Sequence, residues 1–373
     1  MTKKESLLKK PAVQTLIASL ICILLGLLVG FIVLLIINPS GAWNALSTIM
    51  QNFWSFSSAR GQIKNLGNTL AKTAPLLMCS LSVLFAYKVG LFNIGAAGQY
   101  VAGVGASLYF AIGLGAPWWL CLLAGMLAGA LLGAISGVLK AYRNVNEVIS
   151  CIMLNWIGLY LVNTLLAPYM DITMSETWSL KKHYPAAVLP TLGLDKLLNN
   201  HQYVTLAIPL AVIVAVLIWV LLNKTVLGYE LRATGLNKYA AKYSGMQDRA
   251  NIVLTMAIAG GLAGLGAGMF YLTDMIKWPS TVTAVPAMGF NGIAAAFLGG
   301  LHPIGAVLSS FFIQHITDGG AQLDKQIYPA EISSLISSLI IYFCGFVLFF
   351  KLTLTRWLNR RVESAARKGG KNA

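Results

Sequence analysis

"TLIASLICILLGLLVGFIVLLII", residues 15–37, runs for 23 positions without one charged side chain. An α-helix rises about 1.5 Å per residue and the hydrocarbon core of a bilayer is about 30 Å thick, so roughly 20 apolar residues cross it. Two further runs share this character, "WWLCLLAGMLAGALLGAISGVL" (118–139) and "YVTLAIPLAVIVAVLIWVLL" (203–222). The chain of 373 residues is 57% hydrophobic and only 10% charged, where a soluble domain carries about a quarter charged residues. The sequence therefore reads as an all-α, polytopic transmembrane helical bundle. The first run exceeds the roughly 7–15-residue core of a cleaved signal, and no A-x-A-like site follows it. It is expected to stay as a span.

Ten spans are expected, near 14–37, 69–87, 92–113, 117–139, 147–167, 203–222, 251–272, 287–300, 303–317 and 331–350. Lys3, Lys4, Lys9 and Lys10 precede the first and hold the N-terminus in the cytoplasm. On that topology 19 of the 27 Lys and Arg fall on cytoplasmic segments, and both termini are cytoplasmic. The net charge of +15 is then the positive-inside bias of a cell-membrane protein, and no nucleic-acid site is needed to explain it. The five cysteines, Cys22, Cys79, Cys121, Cys151 and Cys344, all lie inside apolar runs. Their spacings fit neither a zinc site nor a disulfide framework.

Residues 1–373 are taken as one transmembrane domain from which three polar segments project. Residues 168–202 form a long external loop, 223–250 a cytoplasmic segment and 351–373 a basic cytoplasmic tail suited to anionic headgroups. Within the spans, "AGMLAGALLGAISG" (124–137) and "AGGLAGLGAG" (259–268) repeat small residues at three- and four-residue spacing. Such faces let helices approach closely in lipid. "LFNIGAAGQYVAGVGA" from Leu91 and "GFNGIAAAFLGG" from Gly289 echo one another at opposite expected orientations. Short, Gly-interrupted segments of this kind point to inverted repeats, although by itself the echo is low-complexity similarity that chance explains more often than not.

No Walker A pattern, H-E-x-x-H or acidic metal cluster occurs, so neither ATP hydrolysis nor metal chemistry is expected of this chain. The candidates that remain are polar residues within spans, which are costly in lipid. Glu147, Cys151 and Asn155 follow i, i+4, i+8 spacing on one helix face, with Asn163 near the same side. Such a face fits a pathway for a polyhydroxy or heterocyclic solute. It fits equally a carboxylate at a helix start and amides joining helices. Asn93, Gln99 and Asn291 pose the same choice beside glycines, where the backbone can be exposed.

"GYELRATGLNKYAAKYSGM" (228–246) is too polar to cross. Asn237 is suited to an N-cap and Gly245 to a C′ position, which leaves about two helical turns between them. Leu236, Tyr239, Ala240 and Tyr243 form an apolar face, with Lys238 and Lys242 on another. The segment can lie on the membrane surface or dock into a groove on a partner.

Together, "LFNIGAAGQ" (91–99), "NEVISCIMLNWI" (146–157), "GYELRATGLNKYAAKYSG" (228–245) and "MGFNGIAAAFLGGLHPIG" (288–305) resemble permease subunits of ABC importers. The likeness is to the branched-chain amino acid/ribose-type family, in its nucleoside and simple-sugar subgroup. The resemblance implies a type II ABC importer-like fold with inverted repeats. It makes 228–245 a coupling helix for an ATPase, with Gly228, Arg232, Gly235, Ala240, Ala241 and Gly245 matching the pattern. Family members often carry an acidic residue where Ala97 stands and an aspartate where Asn291 stands, so this chain lacks two charges.

The implied partners are a homologous second permease or a second copy, two ATPase subunits that bind ATP, an extracytoplasmic binding protein or lipoprotein, and the lipid bilayer. No cofactor is expected on this chain. The competing class is an ion-coupled secondary transporter of a small polar solute. It would ask for a carboxylate deep in a span, and Glu147 is the acidic candidate, at a span's edge.

Overall fold

The computed structural model describes residues 11–328, 335, 338, 339, 342, 343 and 345–356. In chain order its helices are α1 (Pro11–Ile37), α2 (Ala42–Gln51), α3 (Ala59–Lys88), α4 (Ala96–Leu108), α5 (Trp118–Arg143), α6 (Glu147–Leu166), α7 (Leu180–His183) and α8 (Leu194–Leu197). They continue as α9 (Ala207–Lys224), α10 (Val226–Leu236), α11 (Lys238–Tyr243), α12 (Asp248–Tyr271), α13 (Met288–Leu298) and α14 (Pro303–Gly320). A two-residue antiparallel ribbon, β1 (Met170–Asp171) with β2 (Glu176–Thr177), lies in the loop after α6.

Among the described residues six helices are long and apolar enough to cross a membrane: α1, α3, α5, α6 with its extension to Tyr169, α9 and α12. Ten spans were expected, and each shortfall has a local cause. The segment at 92–113 is helical only from Ala96. Residues 91–95 are non-helical, and α4 has 13 residues before a π-turn at Tyr109–Gly113. The segment at 287–300 is α13, whose 11 residues rise only about 17 Å. The segment at 303–317 is α14, which carries Gln314, His315, Thr317 and Asp318 in its 18 residues. The expected span at 331–350 lies largely outside the described residues, as does the basic tail beyond Arg356.

The chain forms two compact units. One comprises Met1–Asn52, Phe297–Gly300 and Ile316–Ala373. In it α1 is fastened by Ser19 Oγ, which donates to Leu298 O at 2.7 Å, and Gly319 packs on the Ile49 carbonyl. Gln322 donates to the Asn52 side chain at 2.7 Å.

The other unit, Phe53–Ala296 with Leu301–His315, holds the main bundle. At its centre α12 crosses α5 along two glycine stripes. A Cβ on Gly129 would strike the Gly260 carbonyl, one on Gly264 would strike the Gly125 carbonyl, and one on Gly133 would strike the Met256 carbonyl. Backbone therefore meets backbone, and the attraction is dispersion between closely fitted surfaces, not water expulsion. Asn144, at φ 51°, ends α5 in the left-handed conformation. Two residues later the Asn146 side chain caps α6 by accepting from Val148 N at 2.9 Å, so the turn between the helices is tight.

The 168–202 loop is folded onto the bundle. Asp274, at φ 59°, accepts from Ser179 Oγ (2.6 Å), Leu180 N (3.1 Å) and Lys181 N (3.2 Å), which holds the start of α7. Lys277 pairs with Glu176 at 2.6 Å, and Thr177 exchanges two hydrogen bonds with the Trp278 backbone (2.9 and 3.1 Å). His201 packs its ring on Gly67 and accepts from Tyr203 N through Nδ1 at 3.3 Å. Burial of the ring, with Lys64 and Lys181 nearby, lowers its pKa below the ordinary 6.5.

Two tests follow from this packing. Gly129→Leu forces the α5–α12 crossing apart and should cost about 1–3 kcal/mol or more, read as a lower melting temperature in detergent or loss of the monodisperse peak. For His201 the depressed folded pKa means that the unfolded chain binds the proton more readily. Its stabilisation is complete above pH 6.5 and lost as pH falls through the folded value. Limited proteolysis of the 180–204 loop should accelerate from pH 7 to pH 5 in the wild type, and His201→Gln should flatten that dependence.

Candidate functional site

The non-helical turn at 91–95 is where the polar residues of the spans converge. α4 begins without a side-chain cap of its own, because its N-cap is Gly95. One orphan donor and one carbonyl are met from α6: Asn155 Oδ1 accepts from Gly98 N at 2.9 Å, and Asn155 Nδ2 donates to Ile94 O at 3.2 Å. Gly98 allows this, since a Cβ there would lie 2.5 Å from Asn155 Cα. Asn93 and Gln99 lock the same turn by a reciprocal amide pair (2.8 and 3.0 Å), and Asn93 also donates to Ser82 Oγ at 3.0 Å. Asn93, Gln99 and Asn155 are all buried. A helix start inside a membrane is viable only when its free N–H groups are satisfied in this way.

The other candidates sit around this core. Glu147 pairs with Lys140 at 2.8 Å across the turn from α5 to α6. Asn163 accepts from Trp278 Nε1 at 3.0 Å and donates to Val282 O at 2.8 Å, so it ties α6 to the segment after α12. Asn291 is half-buried in the first turn of α13, and its side-chain amide makes no hydrogen bond among the described residues. Two residues before it, Gly289 rests on Ala97, where a Cβ would strike the Ala97 backbone. The two Phe-Asn segments noticed in the sequence are thus in contact at the starts of α4 and α13.

A second constellation occupies 226–248. Asn237 Oδ1 accepts from Tyr239 N and Ala240 N, both at 3.0 Å, and so caps α11. At the other end Gly245 takes φ 83°, its N–H reaches Lys242 O at 3.0 Å and Met246 N reaches Ala241 O at 3.1 Å. This is the Schellman arrangement. Both ends of a helix of six residues are closed, so it holds its shape without help from a long hydrogen-bond ladder.

The segment is also fastened from beneath. Gly228 lies on the Leu221 carbonyl, and Arg232 Nε donates back to Gly228 O at 3.3 Å. Thr234 Oγ1 accepts from Asn251 Nδ2 at 2.9 Å, and Lys238 stands 3.6 Å from Asp248. Gly235 meets Val89 and Gly90 backbone to backbone, and Gly90 itself has φ 78°. Ala241 is buried and Ala240 is exposed. The outward face carries Leu236 at 88%, Tyr239 at 77% and Tyr243 at 95% exposure, beside the exposed Lys242.

Sequence reasoning missed Ser82, Gly90, Asn251 and Trp278. Gly90 and Gly235 are both glycines at helix ends and could have been paired as a close approach. Trp278 gave no signal, because its partner Asn163 is 115 residues away.

The chain matches the family model described as branched-chain amino acid transport system / permease component over residues 65–345. It is 30% identical to the nucleoside ABC transporter permease protein NupB of Lactococcus lactis, over 96% of this chain and 99% of that protein. It is 32% identical to the guanosine ABC transporter permease protein NupP of Bacillus subtilis (88% and 92% covered) and 29% identical to a second from that organism, NupQ (65% and 77%). No solved structure matches. A bundle of apolar helices, a locked helix break within it, a doubly capped helix displayed outside it and this match over most of the chain agree: the chain belongs to the branched-chain amino acid transport system permease family.

Proposed function

We propose that this chain forms the membrane pathway of an ATP-binding-cassette importer for a nucleoside, with a simple sugar as the other solute of the same subgroup. The observation that carries the reading is α11. An apolar, aromatic face is displayed on a short helix that is capped at both ends and fixed to the bundle, which is the form of a docking element and not of a frayed loop. On this reading 228–245 couples the permease to a cytoplasmic ATPase, and ATP is bound and hydrolysed there. The curated relatives named for nucleoside and guanosine transport support the solute class.

The finer architecture follows from the same reading. α4, α13, α14 and the segment at 331–350 supply the remaining passes or re-entrant pieces of a ten-span chain with both termini in the cytoplasm of the cell membrane. The contact of Gly289 with Ala97 supports inverted repeats that meet at two short helices. The second permease is a distinct homologue, a reading supported by the two guanosine permeases of one organism that both resemble this chain. An extracytoplasmic binding protein delivers solute to the face formed by 168–202 and 273–282.

Asn291, whose amide is unengaged among the described residues, is the pathway residue this reading favours, while Asn93, Gln99, Asn155 and Asn163 hold its walls. Ion coupling is disfavoured because Glu147 is already paired with Lys140.

The test is co-purification of the permease with an ATPase subunit of an ATP-binding-cassette importer from the same cells. Truncating a central aromatic anchor of an interface costs about 2 kcal/mol, so Tyr239→Ala/Tyr243→Ala should abolish recovery of the ATPase. Both side chains are exposed, so the permease itself should stay monodisperse. Arg232→Glu/Ala240→Trp should act in the same direction. An ATPase that stays bound to the double alanine variant removes α11 as the coupling element. If the wild type binds no ATPase at all, the importer reading falls, and uptake driven by an ion gradient becomes the expected result.

A further inference from the structure

The α6 helix has two unlike faces. One carries Cys151, Asn155 and Leu159 and is buried against the bundle. The opposite face is free and carries Met153, Trp156 and Tyr160. Trp156 and Tyr160 are one turn apart, with ring centroids 6.2 Å apart and planes 27° from parallel, an aromatic pair in offset stacking. Their exposures are 42% and 60%.

Depth makes this pair unusual. α6 has 20 residues, and Trp156 stands at its tenth, about 14 Å from either end and so near the middle of the hydrocarbon. Exposed Trp and Tyr side chains normally sit at the membrane–water boundary, where the ring is in lipid and the polar tip is wet. Other aromatics here obey that rule: Tyr87 and Tyr142 lie in the last turns of α3 and α5, Trp119 in the first turn of α5, and Lys224 reaches within 5.9 Å of the Trp219 ring.

At mid-depth the Trp156 N–H and the Tyr160 O–H would face hydrocarbon, and neither makes a hydrogen bond among the described residues. An unsatisfied donor in that medium is expensive. The cost disappears if this face borders the watery pathway between two permeases.

We propose that Trp156 and Tyr160 form the stacking platform that holds the heteroaromatic base of a nucleoside at the centre of the pathway. The inference rests on the importer reading above and narrows its solute from a nucleoside or sugar to one with a planar ring. Bases stack on aromatic side chains whatever their substituents, because every base has a π-face. The indole N–H and phenol O–H at the edge of the platform suit the ring nitrogens and carbonyl oxygens of a base. The nearest charged side chain on α6 is Glu147, nine residues from Trp156 and paired with Lys140, so the platform is made for a neutral solute.

The experiment is ATP-driven uptake of radiolabelled guanosine, uridine and ribose by the complete importer in proteoliposomes, with co-purification of the ATPase as the check on assembly. Trp156→Ala/Tyr160→Ala should lower guanosine uptake ten-fold or more and uridine uptake less, since the purine stacks over a larger area. Trp156→Phe/Tyr160→Phe keeps the rings and should retain most of the guanosine uptake. Leu127→Ala, on the exposed face of α5, should leave every rate unchanged.

Guanosine uptake at the wild-type rate by the assembled double alanine variant overturns the platform and leaves the importer reading standing. A wild type that takes up ribose and no nucleoside overturns the platform and the nucleoside reading together. A wild type that takes up nothing with ATP overturns the importer reading itself.

Discussion

The side chain of Asn155 is the contact on which the rest of the bundle depends. A buried N–H has no water to bond to, so a helix can begin inside a packed bundle only where another part of the protein satisfies it. Asn155 reaches from the third turn of α6 to the first turn of α4 and engages a donor at Gly98 and an acceptor at Ile94 at once. The Asn93–Gln99 pair closes the same turn from within. Without these amides the non-helical stretch at 91–95 would carry bare polar groups, and α3, α4 and α6 could not share a core. Each bond in such a network contributes only about 1 kcal/mol, but the cost of leaving its partner unpaired is larger.

That turn is also the link between the bundle and the displayed helix. Val89 and Gly90, which lead into it, lie backbone to backbone on Gly235 at the end of α10. A displacement of α10 and α11 by a docked partner is therefore delivered within a few residues of the contact between Asn155 and Gly98. The glycines leave no side-chain cushion to absorb it. On the opposite side, Asn163 and Trp278 tie α6 to the segment after α12. α6 is thus held at two levels by amides while its outer face stays free. A rigid helix held at two levels would transmit a two-state change better than a soft one, provided the partner binds the two states differently.

Much of this was legible in residues whose role is local. Asn237 and Gly245 enclose α11 because cap chemistry acts within one turn, and the glycine stripes at 124–137 and 259–268 read as close-packing faces because their spacing is helical. Spans were harder. Hydropathy cannot place a helix start, so 92–113 read as helical throughout although the helix begins only at Ala96. Nor can it show that α13 stops after 11 residues.

The Asn155 face shows the deeper limit. Its i, i+4, i+8 pattern with Glu147 and Cys151 was plain, but the same pattern describes a face turned to a pathway and a face turned to a neighbour. What the pattern could not show is the partner the amide meets, Gly98, 57 residues away.

The two missing charges complete the argument. Resemblance places acidic residues at positions 97 and 291, and this chain has Ala97 and Asn291. Ala97 is wholly buried and lies against Gly289, with no room between the two backbones for a longer side chain. A carboxylate there would be buried without a partner, at a cost of several kcal/mol or a forced protonation. Asn291 is two residues further along the helix that presses on Ala97. With that first turn of α13 carrying an uncharged amide, no anion is left facing the gap that Ala97 closes. The close packing and the loss of charge are therefore compatible: a longer, charged side chain at position 97 would have neither room nor a partner.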